Sequence, residues 1–233
     1  MREASFADLL INYGHFTSMQ VRGGRVQGLA LHLARLASAT EELYGVSLPD
    51  VRPYVLRALG STADATVRVT IAGVTPSILV TLRPPRDPRG PRRLMSVQHA
   101  RPFAHIKHVG MFAQIHFGKL AEQAGFDDAL LVAPSGAVTE TTIANVGFFD
   151  GDFVVWPSAP QLNGTTMQLL EPLVPSRREV VSLSDIGRFS GAFVTNSSGV
   201  SPVTAIDSHS FEADERRMKE LTEAYDSVPW DPI

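Results

Sequence analysis

The chain contains no cysteine. That excludes disulfides, a thiol nucleophile and any cysteine-ligated metal site, and it suits a reducing cytoplasm. An excess of one charge is also lacking. The 21 Lys and Arg residues against 24 Asp and Glu leave a net charge of −3, so no strong field draws nucleic acid or a membrane surface. No apolar run approaches the length that spans a bilayer. The first residues include Arg2, Glu3 and Asp8 without a long apolar stretch, so no signal peptide is expected. There is no internal repeat. What remains is 233 residues, 44% hydrophobic and 19% charged. This is the composition of a soluble globular protein with chain enough for one large domain or two small ones.

Periodicity and turn residues give the order of elements. His15 to Arg22 reads as a strand, Gly23-Gly24 as a hairpin turn, and Leu29 to Tyr44 as a helix stopped by Gly45. Leu29, Leu33, Leu36, Ala37, Thr40 and Leu43 form its apolar face, with His32 beside it and Arg35 on its flank. A second helix is expected from Leu48 to Leu59, then strands over Ala65 to Ala72 and Ser77 to Leu82. Pro84 to Arg93 holds four prolines and four arginines. It can be neither helix nor central strand, so it reads as a linker at 84–93 between a small domain (1–83) and a larger one (94–233). Lys107 is expected to stand at the head of a helix that Gly125 ends. Strands follow over Asp128 to Ala133 and Ile143 to Phe149, and Asp150-Gly151 turns the chain into Phe153 to Trp156. Asn163 to Thr166 opens a short helix, Val180 to Leu183 is a strand, and Ser184-Asp185 caps another short helix. Ala192 to Thr195 runs into the polar turn Asn196 to Gly199, Pro202 to Ile206 is extended, and Phe211 to Tyr225 is a charged helix.

Alone, these residues say little about chemistry. A lysine at a helix start or a glutamate at a strand end is usually a solvated charge. Polar glycine-containing turns cap helices far more often than they bind phosphate. His105, His108 and His116 have no carboxylate at ligand spacing, so no metal site is expected.

Together, the separated blocks Ile106-Lys107-His108, Ala124 to Leu131 (A-G-F-D-D-A-L-L), Val138-Thr139-Glu140 and Asn145-Val146-Gly147-Phe148 are a stronger signal. In this order they resemble the class IV aminotransferases, the fold-type IV pyridoxal-phosphate enzymes that include branched-chain and D-amino-acid aminotransferases and aminodeoxychorismate lyase. The resemblance covers nearly the whole chain. It implies an α+β, two-domain fold like that of D-amino-acid aminotransferase, with a small N-terminal α/β domain and a larger C-terminal pseudo-barrel domain. It also implies pyridoxal 5'-phosphate as cofactor, a small amine or amino acid as substrate, a cytoplasmic enzyme, and a homodimer.

Residue by residue, the resemblance makes Lys107 the catalytic group that binds the cofactor aldehyde as a Schiff base. Glu140 faces the pyridine nitrogen. Arg35, in the block His32-Leu33-Ala34-Arg35-Leu36, holds the phosphate together with Gly164, Thr165 and Thr166 and with Asn196 and Ser197. Asn145 belongs to the same cofactor site. Phe16 and Gln20 fall on the substrate side. There the sequence departs from the family. Gln20 replaces an arginine, Phe112 stands where branched-chain enzymes have tyrosine, and Met167 replaces another arginine. Lys107-His108 and Asn196 are closer to aminodeoxychorismate lyase.

The leading expectation is an aminotransferase. The alternatives are a lyase that releases pyruvate from an aminated chorismate and a cofactor-binding protein with little catalysis. The missing arginines predict poor use of leucine, isoleucine and glutamate, and a bulkier, less anionic or differently oriented substrate. Arg22, Arg25 or Arg68 could compensate if the fold brings one of them to the site.

Overall fold

The computed structural model describes residues 1–87, 90–212 and 214–233. They form two compact units. The first comprises 1–87, 106–111 and 228–233, and the second comprises 88–105 and 112–227.

The first unit begins with a short strand β1 (Arg2–Glu3) and a capped turn of helix α1 (Phe6–Leu10). β2 (Gly14–Val21), β3 (Arg25–Gln27), helices α2 (Leu29–Tyr44) and α3 (Arg52–Leu59), and strands β4 (Ala65–Ala72) and β5 (Ser77–Arg83) follow. β1, β5, β4 and β2 make a sheet in that order. Its core packs Met19, Val21, Val67, Val69 and Ile71 against Leu29, Leu36, Val55 and Leu59.

α2 has the expected bounds because left-handed glycines stand at both ends: Gly28 at φ 66° and Gly45 at φ 64°. Its buried face is Leu29, His32, Leu36, Ala39 and Thr40. His32 is therefore in the core rather than beside it, and Ala37 is exposed. α3 starts later than expected, at Arg52, because Pro53 suits only the first turn and Asp50 bonds the Arg52 N–H. The expected linker at 84–93 includes Pro88 and Arg89, which lie outside the described residues. Arg92 and Arg93 already belong to a strand.

Residues 106–111 join the first unit. The Phe16 N–H donates to the Lys107 carbonyl and the Val109 N–H to the Gly14 carbonyl, both at 2.9 Å, and His15 bridges His108. This segment thus extends the free edge of β2. Lys107 does not open a helix, because its backbone is committed to that edge.

The second unit runs β6 (Arg92–Gln98), α4 (Phe112–Gln123), β7 (Asp128–Val132), β8 (Val138–Thr141), β9 (Asn145–Asp150), β10 (Phe153–Pro157), α5 (Thr165–Leu170), β11 (Ser176–Glu179), β12 (Gly191–Asn196), β13 (Gly199–Ile206), β14 (His209–Ser210) and α6 (Glu215–Asp226). A 3-10 turn covers Leu183–Arg188. The sheet order is β11-β10-β9-β12-β13-β6-β7-β8, with β14 on β13. Its two ends meet where the Val138 N–H donates to the Val181 carbonyl at 2.8 Å and Ala137 bridges Ser182. The sheet therefore curls into a half-barrel around Leu130, Val146, Phe148, Val155 and Phe189.

Two expectations fail here. The strand lies at 176–179 rather than 180–183, because residues 176–179 pair with β10 while Val180 is exposed. The last helix starts at Glu215, capped by Asp214, rather than at Phe211, which packs in the core. The expected start also spans Ala213, which lies outside the described residues. The chain ends in β15 (Trp230–Pro232), paired with β3 in the first unit.

Candidate active site

In the first unit the strand alternation of β2 separates two sets of side chains. Thr17, Met19 and Val21 face α2. Phe16, Ser18 and Gln20 face the other side of the sheet. Thr17 is fully buried and its hydroxyl lies 2.7 Å from Nδ1 of His32. Arg35 donates from Nη2 to the same hydroxyl at 2.6 Å. Since Thr17 accepts from Arg35, its own proton points to His32, which then carries its ring proton on Nε2. Burial, then the charges of Arg35 and Lys107, hold His32 well below the usual histidine pKa, so it stays neutral. Burial also lowers Arg35, to about 10. Its Nε is buried with no hydrogen-bond partner, and no carboxylate forms an ion pair with Arg35 among the described residues.

Lys107 and Phe16 meet on the other face of β2. The Lys107 Nζ lies 5.0 Å from the centre of the Phe16 ring. Gln20, four residues further along the strand, is engaged elsewhere. Its side-chain oxygen accepts from Thr66 Oγ1 at 3.0 Å, from the Arg86 N–H at 2.9 Å and from Arg22 at 3.3 Å. It pins the chain leaving β5 instead of presenting a free amide.

In the second unit Glu140 is buried on β8. One carboxylate oxygen accepts from Arg101 Nε at 2.9 Å, and the other from the Leu162 N–H at 3.3 Å. Arg101 also donates to the Ala104 carbonyl. Nothing in the sequence marked Arg101: it belongs to no motif, and its pairing with Glu140 spans 39 residues.

Asn145, on β9, spends its amide hydrogens on Gln161 Oε1 at 2.9 Å and the Leu162 carbonyl at 2.7 Å. It clamps the loop that carries Gly164. A Cβ on Gly164 would lie 1.9 Å from Asn145 Oδ1, so only glycine fits there. Thr166 donates to the Asn196 carbonyl at 2.7 Å, which ties α5 to the turn after β12. Asn196 Oδ1 accepts the Ser198 N–H at 2.8 Å, and Ser197 lies in the same half-buried turn. The hydroxyls of Thr165 and Thr195 are buried without partners. The expected site residues thus gather in two sets, one in each unit.

The family model described as amino-transferase class IV matches residues 14–206. This chain belongs to the class IV aminotransferase family. No curated protein matches the sequence. Among solved structures, a provisionally assigned 4-amino-4-deoxychorismate lyase from Legionella pneumophila superposes with a TM-score of 0.87 at 19% identity, covering 98% of this chain and 96% of that one. A hypothetical aminotransferase from Mycobacterium tuberculosis in its PLP-bound form gives 0.83 at 20% identity, covering 98% and 93%. The Escherichia coli branched-chain amino acid aminotransferase gives 0.79 at 13% identity, covering 94% and 88%. This member of the class IV aminotransferase family thus has the fold-type IV architecture, in a mixed α+β chain.

Proposed function

We propose that the protein is a pyridoxal 5'-phosphate-dependent aminotransferase acting on an amino acid or related amine, with Lys107 holding the cofactor through its Nζ. The observation that carries this reading is Arg35, a buried guanidinium without a carboxylate partner in the same unit as Lys107. A buried cation needs a counter-charge, and a phosphate suits the planar guanidinium. Within the second unit, the hydroxyls of Thr165 and Thr195 are buried without partners, which also suits an anionic ligand, since buried polar atoms are seldom left unbonded.

When bound, the cofactor supplies an electron-poor ring that accepts charge from the carbon beside the substrate nitrogen. Lys107 Nζ would take the proton from that carbon and return it. Glu140 would face the ring nitrogen, and Arg101 with the Leu162 N–H keeps its carboxylate from turning. Arg35 would hold the phosphate, with Thr17 and the neutral His32 fixing the guanidinium. Asn145 acts indirectly, by seating the loop at Gly164. The same reading makes the protein a cytoplasmic homodimer. The exposed apolar side chains Phe112 and Ile115 on α4 support the second copy.

The chain has three lysines: Lys107, Lys119 and Lys219. Purified protein is expected to be yellow, and borohydride is expected to fix the cofactor on Lys107. Peptide mapping that finds the adduct on Lys119 or Lys219 overturns the assignment. A screen of amino donors then tests the reaction through conversion of the bound cofactor to its amine form. Release of pyruvate without any keto-acid acceptor would replace aminotransfer by the lyase reading.

A further inference from the structure

Helix α2 carries His32 and Arg35 but brings no acid to its own N-terminus. Its first turn holds no Asp or Glu, and the capping residue is Gly28, which makes no side-chain cap. The missing group comes from β15. The Leu29 N–H donates to Asp231 Oδ2 at 3.0 Å, across 202 residues of chain. That carboxylate takes the place of an N-cap side chain and meets the positive end of the helix dipole. The strand that delivers it is itself firmly held. β15 pairs antiparallel with β3, with Trp230 opposite Gln27, Asp231 opposite Val26 and Pro232 opposite Arg25. The buried Gln27 side chain donates to the Val228 carbonyl at 3.1 Å, and Arg25 donates to the Trp230 carbonyl at 3.2 Å. Ile233 packs on the core of the first unit. β3 runs through Gly28 straight into α2. β15 thus holds the start of α2 twice, by its backbone through β3 and by Asp231 at the first helical N–H.

We propose that Asp231 is a positioning residue for the cofactor phosphate: it fixes α2 along its axis, and so fixes where Arg35 presents its guanidinium. This rests on the reading of Arg35 as the phosphate holder. Leu29 stands six residues before Arg35, about 9 Å along the helix. A helix is stiff over that length, so a shift at its first turn is passed on to Arg35. Little shift is tolerated there, because Arg35 Nη2 already donates to Thr17 Oγ1 at 2.6 Å. A planar guanidinium also matches a phosphate over a narrow range of positions. The effect is mutual by linkage: a phosphate that holds Arg35 steadies the Asp231 contact in turn.

The test titrates the full chain, freed of cofactor, with pyridoxal 5'-phosphate and with pyridoxal, which keeps the aldehyde and lacks the phosphate. The ratio of the two affinities isolates the phosphate's share of binding. Asp231→Ala is expected to reduce that ratio at least fivefold and to change pyridoxal affinity less than twofold. Asp231→Asn keeps an oxygen for the Leu29 N–H and is expected to recover part of the loss. Arg35→Gln is expected to reduce the ratio at least tenfold, and circular dichroism checks that the variants fold. A second measurement needs no variant. Hydrogen exchange at the Leu29 amide is expected to slow at least threefold more with the phosphate ester than with pyridoxal. Equal losses for both ligands in Asp231→Ala, or equal Leu29 exchange with both, assign Asp231 to folding alone and overturn the proposal while leaving Arg35 as phosphate holder. An Arg35→Gln protein with the wild-type ratio overturns that reading, and the proposal with it.

Discussion

Arg35 and Glu140 are both buried charges held in opposite ways. Glu140 has a charged partner in Arg101, whereas Arg35 has only neutral ones in Thr17 and His32. A buried ion pair tolerates loss of one partner poorly, and a buried cation without an anion waits for a ligand. Glu140→Gln is therefore expected to retain the cofactor but to slow proton removal by two to three decades, about 3–4 kcal/mol. Single-turnover absorbance checks this, and wild-type rates would mean that the glutamate serves only Arg101. The motif around Glu140 was legible in the sequence because it is contiguous. Its arginine was not, because nothing local distinguishes Arg101 from a solvated residue. His15 gives a second expectation at this scale. Thr40 donates to the Leu36 carbonyl and so accepts from His15 Nε2 at 3.0 Å. Burial, then Arg35, lowers the His15 pKa to about 4. The unfolded chain thus binds a proton near pH 6.5 that the folded chain refuses until about 4. Stability should fall as pH drops through that window, by at most about 3 kcal/mol from this residue. Urea midpoints at pH 7 and pH 4.5 would show it, and His15→Gln should flatten the slope, since its amide can still donate to Thr40.

Elements whose ends carry a conformational requirement were the ones read correctly. α2 is bounded by two left-handed glycines, and β4 alternates over its full length. Elements fixed by distant partners were misread. The segment around Lys107 follows a helical pattern in sequence, yet its amide neighbours bond to β2 some ninety residues away. β11 is defined by parallel pairing to β10 rather than by its own polar sequence, Ser176 to Glu179. The loop before α5 shows how a turn residue and a strand residue act as one device. Asn145 Oδ1 occupies the place of a side chain at Gly164, and its amide is pinned by Gln161 and the Leu162 carbonyl, so it cannot swing away. Gly164→Ala should therefore destabilise the protein by about 1–3 kcal/mol, as overpacking does. It should also loosen α5, which carries Thr165 and Thr166. Combining it with Asn145→Ala should cost less than the sum of the two changes, because one clash would be relieved. Thermal midpoints of the four proteins in that cycle decide the matter, and strict additivity would show that the two residues do not act together.

The whole molecule leaves an apolar surface that its own fold does not cover. On α4, Phe112 is 82% exposed and Ile115 55% exposed, with Phe112 stacked on His116 at 5.9 Å between ring centres. A helix that turns such side chains outward has an incomplete partner surface, and a second copy of the same chain would complete it. In a two-fold interface each residue appears twice, so one substitution acts at two places. Burial of a single phenylalanine contributes about 2–3 kcal/mol. Phe112→Asp removes that contribution at both places and puts two carboxylates into the interface. The expected outcome is a dimer in the wild type and a monomer in Phe112→Asp at micromolar concentration, resolved by light scattering. Lys107 belongs to another segment, so borohydride labelling of the variant reports separately whether its site survives. A wild-type monomer that turns over an amino donor would show that the exposed face of α4 serves something other than self-association.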